Sequence, residues 1–477
     1  MQTRSHPDSP PNRTWTILLA GLAAFMTALD TLVVTTALPV LRADLHASLG
    51  SLEWTVNAYN LAFACLLLTG AALGDRFGRR RMFCVGLLMF TVASAASALA
   101  PTAHALIATR ALQGAGAAIV TPLTLTLICE AFPAERRGAA IGLWGGIVGL
   151  AVAAGPVIGG AVVSGIDWHW IFWLNVPIGL AVIPTAARRL TESHSPRPHL
   201  DLPGLGLAAG GVLGLTWGAI RANTAGWSSP EVIVALGGGV VLIAAFVAWQ
   251  RRAQAPMVSP VLFKSRTFTA ANGVSFFMYA GLFGALFLMS QLLQTGMGYS
   301  PLQAGIRLLP WTLPPMFIAP VAGVLAERYG SRPFMVCGLV LQAAGYAWVA
   351  SIAAPGVDYL PLGAACTVAG IGTSFCFPTV ATAIMSSVPL SEAGVASGVN
   401  SAIRELGGVV GVAVLASVFI HHGGYQSPHA FFNGFTPAIW AAVALSAIGI
   451  LAAIATGSRR QATVDQADVA LLEPQPA

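Results

Sequence analysis

Charge is what this sequence has least of. Of its 477 residues, 9% are Asp, Glu, Lys or Arg, while 56% are hydrophobic. Soluble domains carry roughly one quarter charged residues, so a soluble globule is excluded. Lysine is nearly absent, with Lys264 alone. The arginines fall between apolar runs, so the net charge of +6 is not a nucleic-acid footprint. The six cysteines (Cys65, Cys84, Cys129, Cys337, Cys366, Cys376) show neither CxxC nor Cys/His ligand spacing. They read as small apolar fillers, and neither a metal nor a cofactor is expected. No GxxxxGK[ST] loop appears, which argues against an ATP-driven pump. Long polar stretches are missing too, so no extramembrane catalytic or signalling domain is expected. Residues 1–14 are polar with two arginines, and the apolar run behind them is too long for a signal-peptide core.

Long apolar runs are what the sequence has in abundance. A helix crosses a bilayer with about 20 apolar residues, and fourteen such windows can be placed between residues 15 and 457. With the N-terminus inside, nineteen of the 24 basic residues fall on the inner side, two (Arg42 and Arg221) on the outer side, and three (Arg110, Arg307, Arg404) within spans. A split this lopsided predicts cytoplasmic termini and an even span count. The expected organisation is a tail at 1–14, a six-helix half at 15–187, a two-helix insert with flanking cytoplasmic loops at 188–269, a second six-helix half at 270–457, and a disordered tail at 458–477.

The halves repeat. Gly114, Gly116 and Pro122 match Gly370, Gly372 and Pro378 at an offset of 256, and Gly138, Gly142 and Gly155 continue it to Gly394, Gly398 and Gly411. ALGDRFGRR (from Ala72) matches VLAERYGSR (from Val324) at 252, pairing Asp75 with Glu327 and Gly78 with Gly330. Two parallel repeats place a binding site between the halves near the bilayer midplane, which favours a carrier over a channel. The expected fold is an all-α polytopic membrane protein of 14 helices, two six-helix pseudo-repeat halves with two extra helices between them.

Several stretches resemble signatures of the major facilitator superfamily, in its fourteen-span drug:proton antiporter branch. They are LDTLVVTTALP in the first span, ALGDRFGRRR between spans two and three, RALQGAGAA from Arg110, GPVIGG from Gly155, WHWIFWLNVPIG from Trp168, LLQTGMGYSPLQAGIRLLP from Leu292 and RELGGVVG from Arg404. All occur in order across residues 15–457. Ala71 and Ala151 replace expected glycines, and His169 stands where arginine is expected.

Asp30 stands in the middle of the first apolar run, where a carboxylate costs about 2.5–3.5 kcal/mol on insertion scales. It either carries the exchanged proton or attracts a cationic substrate, as the resemblance implies, or it is a structural aspartate bonded to Thr27 or Thr31. Arg110 is linked to proton transfer by the same resemblance, or else braces helix ends. Gln113 is placed to bond across to the first span. Asp75, Arg76, Gly78, Arg79 and Arg80, with Glu327 and Gly330, are the candidate inner gate, Asp75 being favourable near a helix N-terminus of the other half; the arginines also fix topology. Gly155, Pro156, Gly159 and Gly160 form the antiporter-type motif, with simple packing as the alternative. Arg404 and Glu405 are expected to take different partners, since adjacent helix residues do not share a face. Arg307 is expected to snorkel outward. Asn57, Tyr59, Trp144, Tyr279, Gln294 and Asn400 are candidate cavity residues.

The resulting expectation is a proton-coupled antiporter, not an enzyme, that exports bulky amphipathic or cationic drugs across the cytoplasmic membrane. Its partners are small molecules, protons and the lipid bilayer, with no nucleic acid, and it acts as a monomer. Export of one dedicated metabolite, such as an antibiotic or siderophore, is the alternative; an importer or a non-transporting receptor or scaffold on the same fold are further ones.

Overall fold

The computed structural model describes residues 13–46, 49–194, 201–253, 256, 258–389 and 392–457. The expected C-terminal tail and most of the expected N-terminal tail lie outside these residues. Within them the chain is helical, with 14 helices long and apolar enough to cross a membrane. Spans 1 to 6 are Arg13–Val34, Trp54–Phe77, Arg79–Ala98, Ala103–Ala131, Arg137–Val162 and Trp170–Arg189. Spans 7 and 8 are Leu202–Ala222 and Pro230–Gln250. Spans 9 to 14 are Arg266–Gly296, Leu302–Tyr329, Ser331–Ile352, Tyr359–Ser386, Ala393–His422 and Pro428–Ala455. The face on which span 1 begins is called here the near face, and the opposite one the far face.

Glycine sets how the helices pack, and it does so twice. A Cβ on Gly114 of span 4 would fall 2.3 Å from the Tyr59 carbonyl oxygen of span 2, and one on Gly370 of span 12 would fall 2.3 Å from that of Trp311 in span 10. Gly116 meets the Gly86 and Phe90 backbone as Gly372 meets that of Gly338 and Gln342. Every pair keeps the offsets of the sequence repeat. Small residues let backbones approach this closely, and dispersion then holds helices that lipid would solvate equally well apart.

The halves meet where spans 5 and 10 pack, and again where spans 2 and 13 pack. Spans 7 and 8 pair as a hairpin, and span 7 lies against spans 2 and 13. Asp201 anchors the hairpin at its near end: it caps span 7 through Gly204 N–H (2.9 Å) and accepts from Trp249 Nε1 (2.8 Å) and Gln250 Nε2 (2.5 Å) of span 8. Gln250 Oε1 in turn receives the Val258 N–H (3.1 Å), which fixes the loop towards span 9.

The second half begins at Arg266 rather than 270. Spans 9 and 14 start at Arg266 and Pro428; Ser265 and Ser427 cap these helices by accepting from Phe268 and Ala430 N–H, so polar caps extend them beyond the apolar run. Span 9 ends in a π turn at Leu292–Gly296.

Candidate functional site

The first charged cluster forms where spans 1, 2, 4 and 6 converge. Asp30 is 2% exposed and Arg110 1%. Arg110 Nη1 donates to Asp30 Oδ2 (2.5 Å) and to Gln113 Oε1 (2.8 Å). Gln113 Nε2 donates to Asp30 Oδ1 (2.8 Å), the bond to the first span that the sequence predicts. Asn175 Nδ2 adds a third donor to Asp30 (2.9 Å) and also reaches Ser94 Oγ (3.0 Å). Arg110 Nε is held by the Thr55 carbonyl (3.3 Å), and its guanidinium lies 4.3 Å from the Tyr59 ring centroid. Both carboxylate oxygens are thus satisfied by side-chain donors. The bonding of Asp30 to Thr27 or Thr31 is not what forms: the hydroxyls of both threonines donate back along their own helix.

Beside this cluster lies a cavity of about 720 Å³, within the roughly 300–1,000 Å³ of small-molecule sites. Asn57, Tyr59, Trp144, Tyr279, Arg404 and Glu405 line it, and it extends to Tyr425 in the far-face loop between spans 13 and 14. Asp30 is not in its wall, whereas Thr27, Thr31 and Tyr59 are. The Tyr59 ring is therefore the layer between Arg110 and the cavity. This arrangement puts Asp30 out of direct reach of a cationic compound in the cavity.

Three expectations about these residues are corrected. Gln294 is exposed and donates to Ser290 (3.0 Å), because it sits on the π turn, where the extra residue rotates the helix face. Asn400 is not in the wall of this cavity but in a small adjoining recess that shares Trp144, Tyr279, Phe377 and Arg404 with it, donating to Ser275 (2.7 Å). Arg404 and Glu405 do not take separate partners: Arg404 Nε lies 3.8 Å from Glu405 Oε1, both side chains bending into the same cavity. Arg307 reaches back towards the far-face end of span 10, its guanidinium 3.7 Å from the ring centroid of Tyr299 in the far-face loop, with Tyr359 beyond it and the Gln303 carbonyl accepting from Nη1.

Two equivalent contacts join the halves at the near face. Asp75 of span 2 abuts the N-terminus of span 13, where a Cβ on Gly394 would fall 2.4 Å from its Oδ1. Glu327 of span 10 abuts the N-terminus of span 5, accepting the Ala139 N–H (3.0 Å) against Gly138. A carboxylate at a helix N-terminus is favoured by the unpaired N–H groups and the helix dipole.

Asp75 also holds Arg79 (2.6 and 2.8 Å), whose other side pairs with Glu130. Ser193 Oγ donates to Glu130 (2.5 Å), and Glu192 caps span 3 by accepting the Arg80 and Arg81 N–H groups (2.9 and 3.2 Å). Gly78 has φ 103°, a left-handed value that glycine adopts without strain; Gly330, its repeat partner, has φ 87°. Arg80 also reaches the Leu190 carbonyl (3.2 Å). Arg76 stands apart, exposed and stacked over its neighbour Phe77. Sequence reasoning missed Glu130, Glu192, Ser193, Asn175 and Ser94. The acidic residues facing an arginine-rich loop were the one available signal.

In the GPVIGG stretch, Gly155 admits Leu32 of span 1 and Gly160 admits Leu302 of span 10. Gly159 is buried in the same helix, and the Pro156 side chain lies outside the described residues. At the far face, Trp168 Nε1 donates to Asp44 (2.7 Å) and His169 stacks on Trp168 while pairing with Asp167. The His169 backbone N–H donates to Asp167 and, with the His169 side chain, holds that exposed carboxyl below the usual carboxylate range. Among the described residues no group of three or more His, Cys, Asp and Glu side chains suits a metal.

The sequence and the fold match those of known proteins. The Major Facilitator Superfamily model matches residues 20–249, 202–412 and 271–466. The tetracenomycin C resistance and export protein of Streptomyces glaucescens is 34% identical over 433 residues, 90% of this chain and 80% of that protein. The multidrug efflux pump LfrA of Mycolicibacterium smegmatis is 34% identical over 455 residues, 93% of this chain and 88% of that protein. Among solved structures, the proton:xylose symporter XylE superposes with a TM-score of 0.69 at 15% identity, covering 97% of this chain and 99% of that one, a likeness of fold. The chain belongs to the Major Facilitator Superfamily, a family of membrane transporters and not of enzymes.

Proposed function

We propose that this protein is a proton-coupled secondary antiporter that exports bulky amphipathic compounds across the cytoplasmic membrane, with both termini cytoplasmic. The observation that carries the reading is the buried Asp30–Arg110 pair, one side-chain layer behind the wall of a drug-sized cavity. A proton arriving on Asp30 removes its charge and frees Arg110, and the bonds to Gln113 and Asn175 then rearrange. Tyr59 touches both Arg110 and the cavity, so occupancy on one side and protonation on the other compete through it.

Alternating access follows from the repeat. The near face is shut by Asp75 at span 13 and Glu327 at span 5, and rocking the two six-helix halves would part both contacts together. A single chain contains the whole cavity, which suits a monomer.

Export of one self-made metabolite is the second reading, favoured by the export name of the Streptomyces relative. A receptor on the same fold would bind without moving protons. The test is proton movement in reconstituted vesicles carrying a proton gradient, on adding amphipathic compounds in turn. The expected result is substrate-dependent collapse of the gradient with the intact protein and none with Asp30→Asn. Gradient collapse of equal size with Asp30→Asn would sink the proposal.

A further inference from the structure

The repeat makes the seam between spans 2 and 13 the counterpart of the seam between spans 10 and 5, yet the two close differently. Spans 5 and 10 touch along their whole length. A Cβ on Gly138, Gly142, Gly146, Gly149 or Gly160 of span 5 would fall 2.5–3.1 Å from an atom of span 10. In spans 2 and 13 the matching contacts, Gly394 on Asp75 and Gly398 on Ala71 (2.4 and 2.7 Å), lie in the near half. Further out, Gly149 and Gly160 correspond to Glu405 and Ala416, and Pro315 of span 10 corresponds to Phe63. Glu405, Ala416 and Phe63 line the cavity, so side chains hold this seam apart where glycine closes its counterpart.

Span 7 stops the gap. Ala219 and Ile220, near its far end, complete the cavity wall where it lies against spans 2 and 13. The hairpin of spans 7 and 8 is tight within itself. A Cβ on Gly214 or Gly239 would fall 2.8 Å from the backbone of the facing helix, and Arg221 Nε pairs with Glu231 (2.9 Å) at the far end. Against its neighbours it is looser: no glycine of span 7 admits an atom of span 2 or span 13. Its near end is pinned through Asp201. At its far end Trp227 Nε1 donates to Ser417 Oγ of span 13 in an exposed contact. Span 8 turns Ile233, Val234, Val240 and Val241 outward.

We infer that the far half of the seam between spans 2 and 13 is a portal between the cavity and the far leaflet, with spans 7 and 8 as its door. The hairpin swings as one body about Asp201, and its tip leaves Ser417. What passes is an amphipathic compound dissolved in the bilayer, apolar enough to slide past Phe63, Ile220 and Ala416 into the acyl chains without crossing water. Opening exposes apolar helix faces to lipid tails, which are as apolar as the side chains they replace, so it costs packing contacts and no hydrophobic penalty. The portal deepens the export reading, on which it rests, by delivering the cargo to the far leaflet.

The test is photolabelling of the full-length protein in lipid nanodiscs, with no gradient present, by a phosphatidylglycerol carrying a diazirine in its acyl chain. The six native cysteines are replaced by alanine, and Trp227→Cys and Ser417→Cys are joined by a short bismaleimide. Before bridging, adducts are expected on the cavity residues Phe63 and Val412 as well as on the outward-facing Val240 and Val241. Bridging should abolish the cavity adducts and keep those on span 8.

Absence of cavity adducts before bridging overturns the inference, and so do cavity adducts that bridging leaves unchanged. Because no gradient is used, bridge-sensitive labelling in a protein that moves no protons in vesicles would refute the antiport reading and leave the portal standing.

Discussion

The two halves share a backbone plan and differ in where they keep their charge. At the offset of 256, Arg110 corresponds to Cys366, and Gln113 to Ala369. Cys366 is buried among Trp311, Tyr346 and their apolar neighbours, where the first half keeps an ion pair. Conversely, Arg404 and Glu405 correspond to Val148 and Gly149, which line the cavity without charge. The first half therefore seals its charges behind Tyr59, and the second exposes its charges to the cavity. A repeat in which both halves carried both sites would place two competing proton sites around one substrate. The division suggests that proton chemistry belongs to the first half and substrate recognition to the second.

The largest effect expected from breaking this comparison is at the ion pair. Arg110→Ala leaves Asp30 buried without its counter-charge and should destabilise the protein by about 3–5 kcal/mol. The matched change Cys366→Ala removes only a small apolar group and should cost about 1 kcal/mol. Thermal unfolding in nanodiscs compares the two, and equal losses would contradict the assigned asymmetry.

The shared plan predicts equality instead. Gly114→Ala and Gly370→Ala each drive a Cβ into a facing carbonyl at the same 2.3 Å, and each should cost about 1–3 kcal/mol. A difference well beyond that range between the two would mean that the repeat has diverged in packing as well as charge.

Smaller effects are expected at the near-face closure. Glu327→Gln removes a carboxylate from the start of span 5 and should weaken that contact by about 0.3–1 kcal/mol. Asp75→Asn should do more, since Asp75 also holds Arg79. Labelling of a cysteine placed in the cavity, from the near face, should rise in both variants and more in Asp75→Asn.

Much of this was legible in the sequence, for physical reasons. Span count follows from apolar length, and the repeat from glycines that only close helix contacts require. That Asp75 favours a helix N-terminus of the other half was legible; which helix, span 13 at Gly394 for Asp75 and span 5 at Gly138 for Glu327, was not. What was not legible depends on direction. Asn175 and Ser94 lie in apolar runs where nothing marks a small polar side chain as turned towards Asp30. Arg404 and Glu405 are about 100° apart on a helix, yet their long side chains bend to one cavity. Gln294 was misplaced because the π turn at Leu292–Gly296 shifts the helical register.

The central claim is that Asp30 couples transport to protons rather than holding the fold or the substrate. The direct measurement is substrate exchange across vesicles containing Asp30→Asn, made with and without a proton gradient. The account predicts that exchange without a gradient persists, while gradient-driven accumulation is lost. Loss of both, with unfolding at lower temperature, would make Asp30 structural; retention of both would move the coupling site elsewhere and contradict the account.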